Sequence, residues 1–130
     1  MIVAALILAQ LAPVEPKPVV TTIAAVRANP KKFDGQVVRL TGWVNQCKPL
    51  TCWIEERAAT AQGGPGAHLS IGTNPKFDET VQPLMPTLVE FDARFDATCM
   101  TRQACLDRAP ELTIVRLRGV TSVEPPPIEN

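Results

Sequence analysis

The sequence predicts a mainly β domain in which five short strands close into a small Greek-key barrel. Three observations carry this. Segments of alternating apolar and polar residues, rich in Val, Ile, Thr and Phe, recur between turn signals. A glycine, Gly42, interrupts the strongest of them, as small barrels need where a strand bends. A short helical segment bounded by prolines separates the third strand from the fourth. The chain has 130 residues, of which 45% are hydrophobic, enough for one domain with its own core. Thirteen Lys and Arg balance thirteen Asp and Glu. That balance removes the strongly basic footprint of a nucleic-acid binder and any polybasic membrane tether.

The elements follow in order. Ile2 to Ala12 is an apolar run interrupted only by Gln10. A bilayer span needs about 20 apolar residues, so the run is too short to cross. Its length suits the apolar region of a secretory signal, although no Lys or Arg precedes it and no clean small-x-small cleavage site follows. The competing reading is a first strand or helix docked on the core. Pro13, Pro16 and Pro18 then mark an extended linker. Residues 1–19 are thus read as a signal-like leader and Pro-rich linker. The folded domain is read as 20–120, and 121–130 as a Pro-rich tail.

A short amphipathic helix is predicted from Thr22 to Asn29. Thr21 or Thr22 caps it, Ile23, Ala24 and Val26 supply its apolar side, and Pro30 stops it. Asp34-Gly35 is a turn. Gln36 to Cys47 is the clearest strand, with Val38, Leu40, Gly42 and Val44 on one face and Val37, Arg39, Thr41 and Trp43 on the other. Gly42 is read as a bend or bulge. A four-residue connection, Lys48 to Thr51, leads into Cys52-Trp53-Ile54-Glu55 and makes a hairpin. Residues 57–66 form a Gly-rich loop. Ala67 to Gly72 is the third strand, with Leu69 and Ile71 inward. Asn74-Pro75 opens a helix or turn that runs to about Leu84. In the fourth strand, Thr87 to Asp96, Val89, Phe91, Ala93 and Phe95 face in, and Glu90, Asp92, Arg94 and Asp96 face out. A connector, 97–111, precedes the fifth strand, Leu112 to Val120.

Five strands with a helical segment between the third and fourth is the element order of the OB-fold, a partly open Greek-key barrel. The residues Ile23 to Val44 resemble a pattern of small bacterial OB-like envelope proteins: a short helix, Asn-Pro, an aromatic followed by Asp-Gly, then a V-x-L-x-G-x-V strand. The matching positions are Asn29, Pro30, Phe33, Gly35, Val38, Leu40, Gly42 and Val44. Val115 to Val120 looks like the closing strand of such proteins. The resemblance implies a fold. Its matched positions are core and turn residues, so it carries over no active site.

The four cysteines, Cys47, Cys52, Cys99 and Cys105, form two close pairs in sequence. Small secreted domains use disulfides to supplement a small core. The spacings, C-x4-C and C-x5-C, differ from the shorter knuckles of zinc ribbons, and neither loop holds a glycine to wrap a metal. Two local disulfides, Cys47–Cys52 and Cys99–Cys105, are therefore expected, with no metal and no cofactor. Paired cysteines and an apolar leader both point to a periplasmic or secreted protein, with no membrane span in the mature chain.

Catalytic candidates are few. His68 is the only histidine, so a multi-His metal site is excluded. Ser70, two residues on, is the one nucleophile it could activate, and no orienting group is evident. Glu90, Asp92 and Asp96 lack the loop spacing of calcium sites and read as a solvated face. Stacking of bases would need exposed aromatics and a cationic groove. Yet Phe91 and Phe95 face the core, and Arg116 and Arg118 fall beside the acidic residues of the fourth strand, where cross-strand ion pairs are expected.

In an OB-fold the loops after the first and fourth strands flank the ligand face. Both cysteine pairs fall there. A stapled loop is pre-organised for binding. Trp43, Trp53, Arg102 and Arg108 are the binding candidates, because Trp and Arg most often carry binding energy. A buried structural role is the commoner one for Trp. The expected function is a non-catalytic binding or interaction module of the bacterial cell envelope, with an envelope protein or a small ligand as partner. An OB-type nucleic-acid binder is the alternative, and a small hydrolase using His68 a remote one. The leader reading makes one prediction: N-terminal sequencing of native protein should find a start near residues 13–19 in a non-cytoplasmic fraction. Recovery of Met1 from cytosol would refute it.

Overall fold

The structure is a computed structural model that describes residues 17–48, 51–58, 64, 66–72, 74–101 and 110–122. It is mainly β: a six-stranded mixed sheet with a few short helices. Strand order is β1-β2-β3-β4-β6-β5, and β5 also pairs with β2, so the longer strands are linked in a cycle. The strands are β1 (Val19–Val20), β2 (Val37–Lys48), β3 (Thr51–Glu55), β4 (His68–Gly72), β5 (Thr87–Phe95) and β6 (Leu112–Ser122).

The extra strand forms where the segment read as linker, ending at residue 19, meets the predicted domain. Val19 and Val20 lie parallel to Val38 and Arg39 of β2. The Thr21 N–H donates to the Arg39 carbonyl at 3.2 Å. Extended, Pro-flanked residues next to an unoccupied stretch of sheet edge satisfy that edge. Thr22 then caps α1 (Ile23–Ala28) by accepting the Ala25 N–H on Oγ1 at 3.1 Å. Ile23 and Val26 are buried. Pro30 does more than stop this helix. It opens a second one, α2 (Pro30–Phe33), at the first turn, where a missing N–H has no partner to lose. Gly35 turns the chain at φ +76°, a conformation open to glycine at no steric cost.

β2 organises the sheet. It runs antiparallel to β5 from Val37↔Arg94 to Val44↔Thr87, and antiparallel to β3 from Trp43↔Glu55 to Lys48↔Thr51. Alternation holds as the sequence predicts: Val38, Leu40 and Val44 are fully buried. Leu69 and Ile71 on β4, and Val89, Phe91, Ala93 and Phe95 on β5, complete the core with Leu112 on β6. Fully burying each such side chain contributes about 1.5–3 kcal/mol.

Gly42 is not a bulge. Its register with Val89 is regular, and the irregularity falls later, between Val44 and Cys47. The glycine is required for packing. A Cβ there would sit 2.6 Å from Cγ1 of Ile54 and 2.9 Å from the Glu55 carbonyl oxygen. Ile54 thus presses on the bare backbone of β2.

β4 meets β6 in a parallel pairing limited to Ile71↔Leu112 and Gly72↔Thr113. Between β4 and β5 runs α3 (Pro75–Val81), capped by Asn74, whose Oδ1 accepts the Phe77 N–H at 2.8 Å, and followed by a 3-10 turn at Gln82–Leu84. Phe77 and Val81 join the core. The connector read over 97–111 holds a one-turn helix, α4 (Thr98–Thr101). The leader, the hairpin tip at 49–50 and the C-terminal tail from 123 lie outside the described residues.

Gly42→Ala should lower unfolding free energy by about 1–3 kcal/mol, as overpacking does. Gly119→Ala, where a new Cβ meets nothing within 4 Å, should change it by less than about 0.5 kcal/mol. Urea unfolding of both variants checks the contrast.

Candidate functional site

Two different surfaces are built on the outward residues of the sheet. The first lies on β2, β3 and β4. Counting from the register, Trp43 faces Glu55 across β2–β3, Glu55 faces His68 across β3–β4, and Trp53 faces Ser70. The face is fixed by the hairpin: Cys52 and Ile54 point inward and are fully buried, so Trp53 between them points outward. Trp43 and Trp53 are both half-buried. The Trp53 and His68 rings stack with centroids 4.5 Å apart and planes inclined by 33°. Glu55, between the Trp43 and His68 rows, is only 5% exposed.

Neighbouring contacts hold this face in place. Cys47 and Cys52 form a disulfide across the hairpin. Arg27 on α1 donates through Nη1 to the His68 carbonyl at 2.8 Å. The Asn45 amide donates to the Arg57 carbonyl at 3.0 Å and ties the end of β2 to the segment after β3. Ser70 is occupied. Its N–H and hydroxyl donate to the Glu111 carboxylate at 3.0 and 3.3 Å, and its hydroxyl accepts the Glu111 N–H at 2.9 Å. This reciprocal clamp joins β4 to the chain entering β6.

The second surface lies on β2, β5 and β6. Arg39 donates to both carboxylate oxygens of Asp92, at 2.8 and 3.2 Å. Arg118 pairs with Glu90 at 3.0 Å and approaches Asp92 at 3.9 Å. Asp92 is outward by register yet only 6% exposed, because two guanidinium groups cover it. The hydrogen bond to Asp92 raises the Arg39 pKa further above its ordinary value.

The expected pairing needs two corrections. Arg116 stands opposite Asp92 in register, but among the described residues it has no carboxylate partner. Register shifts on either side of this pair displace β6, and Arg118 takes the carboxylates instead. Asp96 does not join the ladder either. It accepts the Thr98 hydroxyl and N–H, at 2.5 and 2.8 Å. The hydroxyl, and then the N–H, hold its carboxyl below the usual range.

Of the residues singled out in sequence, Trp43 and Trp53 share one face, with His68 beside Trp53. Arg102, Arg108 and Cys105 lie outside the described residues. Cys99 is disulfide-bonded. Glu55 was missed by sequence reading. Its signal was available: counting back from an assumed Cys47–Cys52 pair brings residue 55 opposite the Trp43 region, displaced only by a bulge. Among the described residues, no group of three or more His, Cys, Asp or Glu could hold a metal ion, and no helix is long and apolar enough to cross a membrane. No family model matches the chain, and no curated protein matches it.

The ladder predicts an order of effects. Asp92→Ala should lower the urea midpoint more than Arg39→Ala or Arg118→Ala does, since it takes from Arg39 its carboxylate partner and from Arg118 the second of its two. Equal midpoints for the three variants would show that Asp92 is not shared.

Proposed function

We propose that this protein is a non-catalytic binding module of the bacterial cell envelope, built as an OB-like barrel and exported to an oxidising compartment. Its ligand face is the outward side of β2, β3 and β4. The observation that carries this reading is the Trp53–His68 stack, set beside the Cys47–Cys52 hairpin with Trp43 and Glu55 on the same face.

The strand pairings support the barrel. Setting β1 aside, the longer strands pair in the cyclic order β2, β3, β4, β6, β5 and back to β2, with β4–β6 parallel and α3 between β4 and β5. This order supports an OB-like reading, in which ligands bind on the second and third strands between the first and fourth connections. Here those strands are β3 and β4, and the Cys47–Cys52 staple closes the first connection. The disulfide is compatible with an oxidising compartment.

A binding role suits the chemistry of this face. Aromatic rings supply large, rigid contact area at low entropic cost. A hydrolase would need Ser70 free beside His68, and the Ser70 hydroxyl is committed to Glu111. Two of the cations that a nucleic-acid groove on the β2–β5–β6 face would need, Arg39 and Arg118, are committed to Asp92 and Glu90.

The chain's two tryptophans both lie on this face, so its fluorescence reports on the site directly. Components of envelope extract retained by the immobilised protein should shift the tryptophan emission when added back in solution. Trp53→Ala should reduce retention about tenfold or more, the loss of one aromatic anchor. Retention unchanged in both Trp43→Ala and Trp53→Ala would place the binding surface elsewhere. Retention of single-stranded nucleic acid would favour the alternative OB role, and loss of hydrolytic turnover in His68→Ala would make the protein an enzyme.

A further inference from the structure

The edge of β6 is only partly used. β5 pairs with one side of it from Leu112 to Ser122. On the other side β4 pairs with Leu112 and Thr113 alone. Beyond Thr113, among the described residues, no strand meets that edge. Backbone N–H and C=O groups on an open edge need partners, and an added strand supplies them.

A groove lies along this open stretch. A cavity of about 300 Å³ is lined by Asn74, Lys76 and Phe77 on the α3 side and by Ile114 to Leu117 on the strand. A second hollow, of about 230 Å³, continues along β6 past Arg116, Leu117 and Arg118. Ile114, Val115 and Leu117 give the groove apolar side chains among its polar surface, and Val115 is 52% exposed. The rim is cationic. Lys76 and Arg116 have no carboxylate partner among the described residues, whereas Arg118 beside them is paired with Glu90.

We propose that this groove binds an extended acidic peptide segment of a partner protein, which adds a strand to β6 between Ile114 and Arg118. Main-chain hydrogen bonds to the open edge give the affinity, and alternate side chains give the selectivity. One set of side chains rests on the exposed Val115. The other presents carboxylates to Lys76 and Arg116.

Two other occupants are disfavoured by chemistry. A second copy of β6 would set Arg116 and Arg118 against cations of the same kind, and like charges directly opposite are destabilising. The chain's own residues 123–130 contain three consecutive prolines, which have no N–H to give a ladder. The site is separate from the Trp53–His68 face and does not depend on it.

The test uses the full chain and a fluorescein-labelled heptapeptide of alternating Val and Glu, with alternating Val and Lys as control. Anisotropy should show saturable binding of the acidic peptide and none of the basic one, weakening with added salt. The double variant K76E/R116E should lose at least about tenfold in affinity, the scale of two rim charges reversed. Arg116→Gln, a milder change at an exposed position, should lose less. Hydrogen exchange should slow across residues 114–118 on binding. Trp53→Ala should bind the peptide as the parent does. The proposal is overturned if the acidic peptide fails to bind, if K76E/R116E binds it unchanged while folded, or if protection appears on β3 and β4 instead.

Discussion

β2 is the strand on which everything else depends, because it is paired along both edges. β5 takes one side from Val37 to Val44, β3 takes the other from Trp43 onward, and β1 fills the stretch that β3 leaves open. Strand pairing of this kind demands a strict inner face, and Val38, Leu40 and Val44 provide it with complete burial. The demand is sharpest at Gly42, where Ile54 of the neighbouring strand occupies the space of an absent side chain. The absent side chain at Gly42 lets Ile54 of β3 pack directly on the β2 backbone.

That geometry divides the outer surface by chemistry. On the β2–β5–β6 side, opposite charges stand across from each other and neutralise one another through Asp92. On the β2–β3–β4 side, the corresponding outward positions are Trp43, Trp53, Glu55 and His68. The first arrangement consumes its own polar groups within the fold. The second leaves the half-buried rings at a surface, beside a hairpin that a disulfide bridges.

The α3 region shows the same logic at the point where the sheet is least complete. β4 is short, so it leaves β6 after a brief parallel contact, and α3 fills the space with Phe77 and Val81 instead of a strand. A helix can bury the core beneath it, but it cannot hydrogen-bond a strand edge. The resulting groove joins aliphatic side chains to a stretch of strand edge that no described strand pairs, and Lys76 and Arg116 at its rim have no carboxylate partner among the described residues.

The sequence by itself determined the positions of the five longer strands and of α1 and α3, the inner faces of β2, β4 and β5, the cap at Thr22, and the local Cys47–Cys52 pairing. These follow from periodicity, capping chemistry and short loop closure, which are local properties of the chain. It also pointed to the cyclic order of strands through the place of the helix between β4 and β5. The tertiary structure decided the rest. Val19–Val20 became a strand only because β2 had an open edge to accept it. Gly42 proved to be a packing glycine only once Ile54 lay against it. The choice of Arg118 over Arg116 as the acid's partner turned on register shifts of single residues. The union of Trp53 with His68, and of Glu55 with both neighbouring strands, needed the register of two hairpin pairings. In each case the deciding contact joins residues far apart in sequence, and alternation along one strand carries no information about which partner stands across from it.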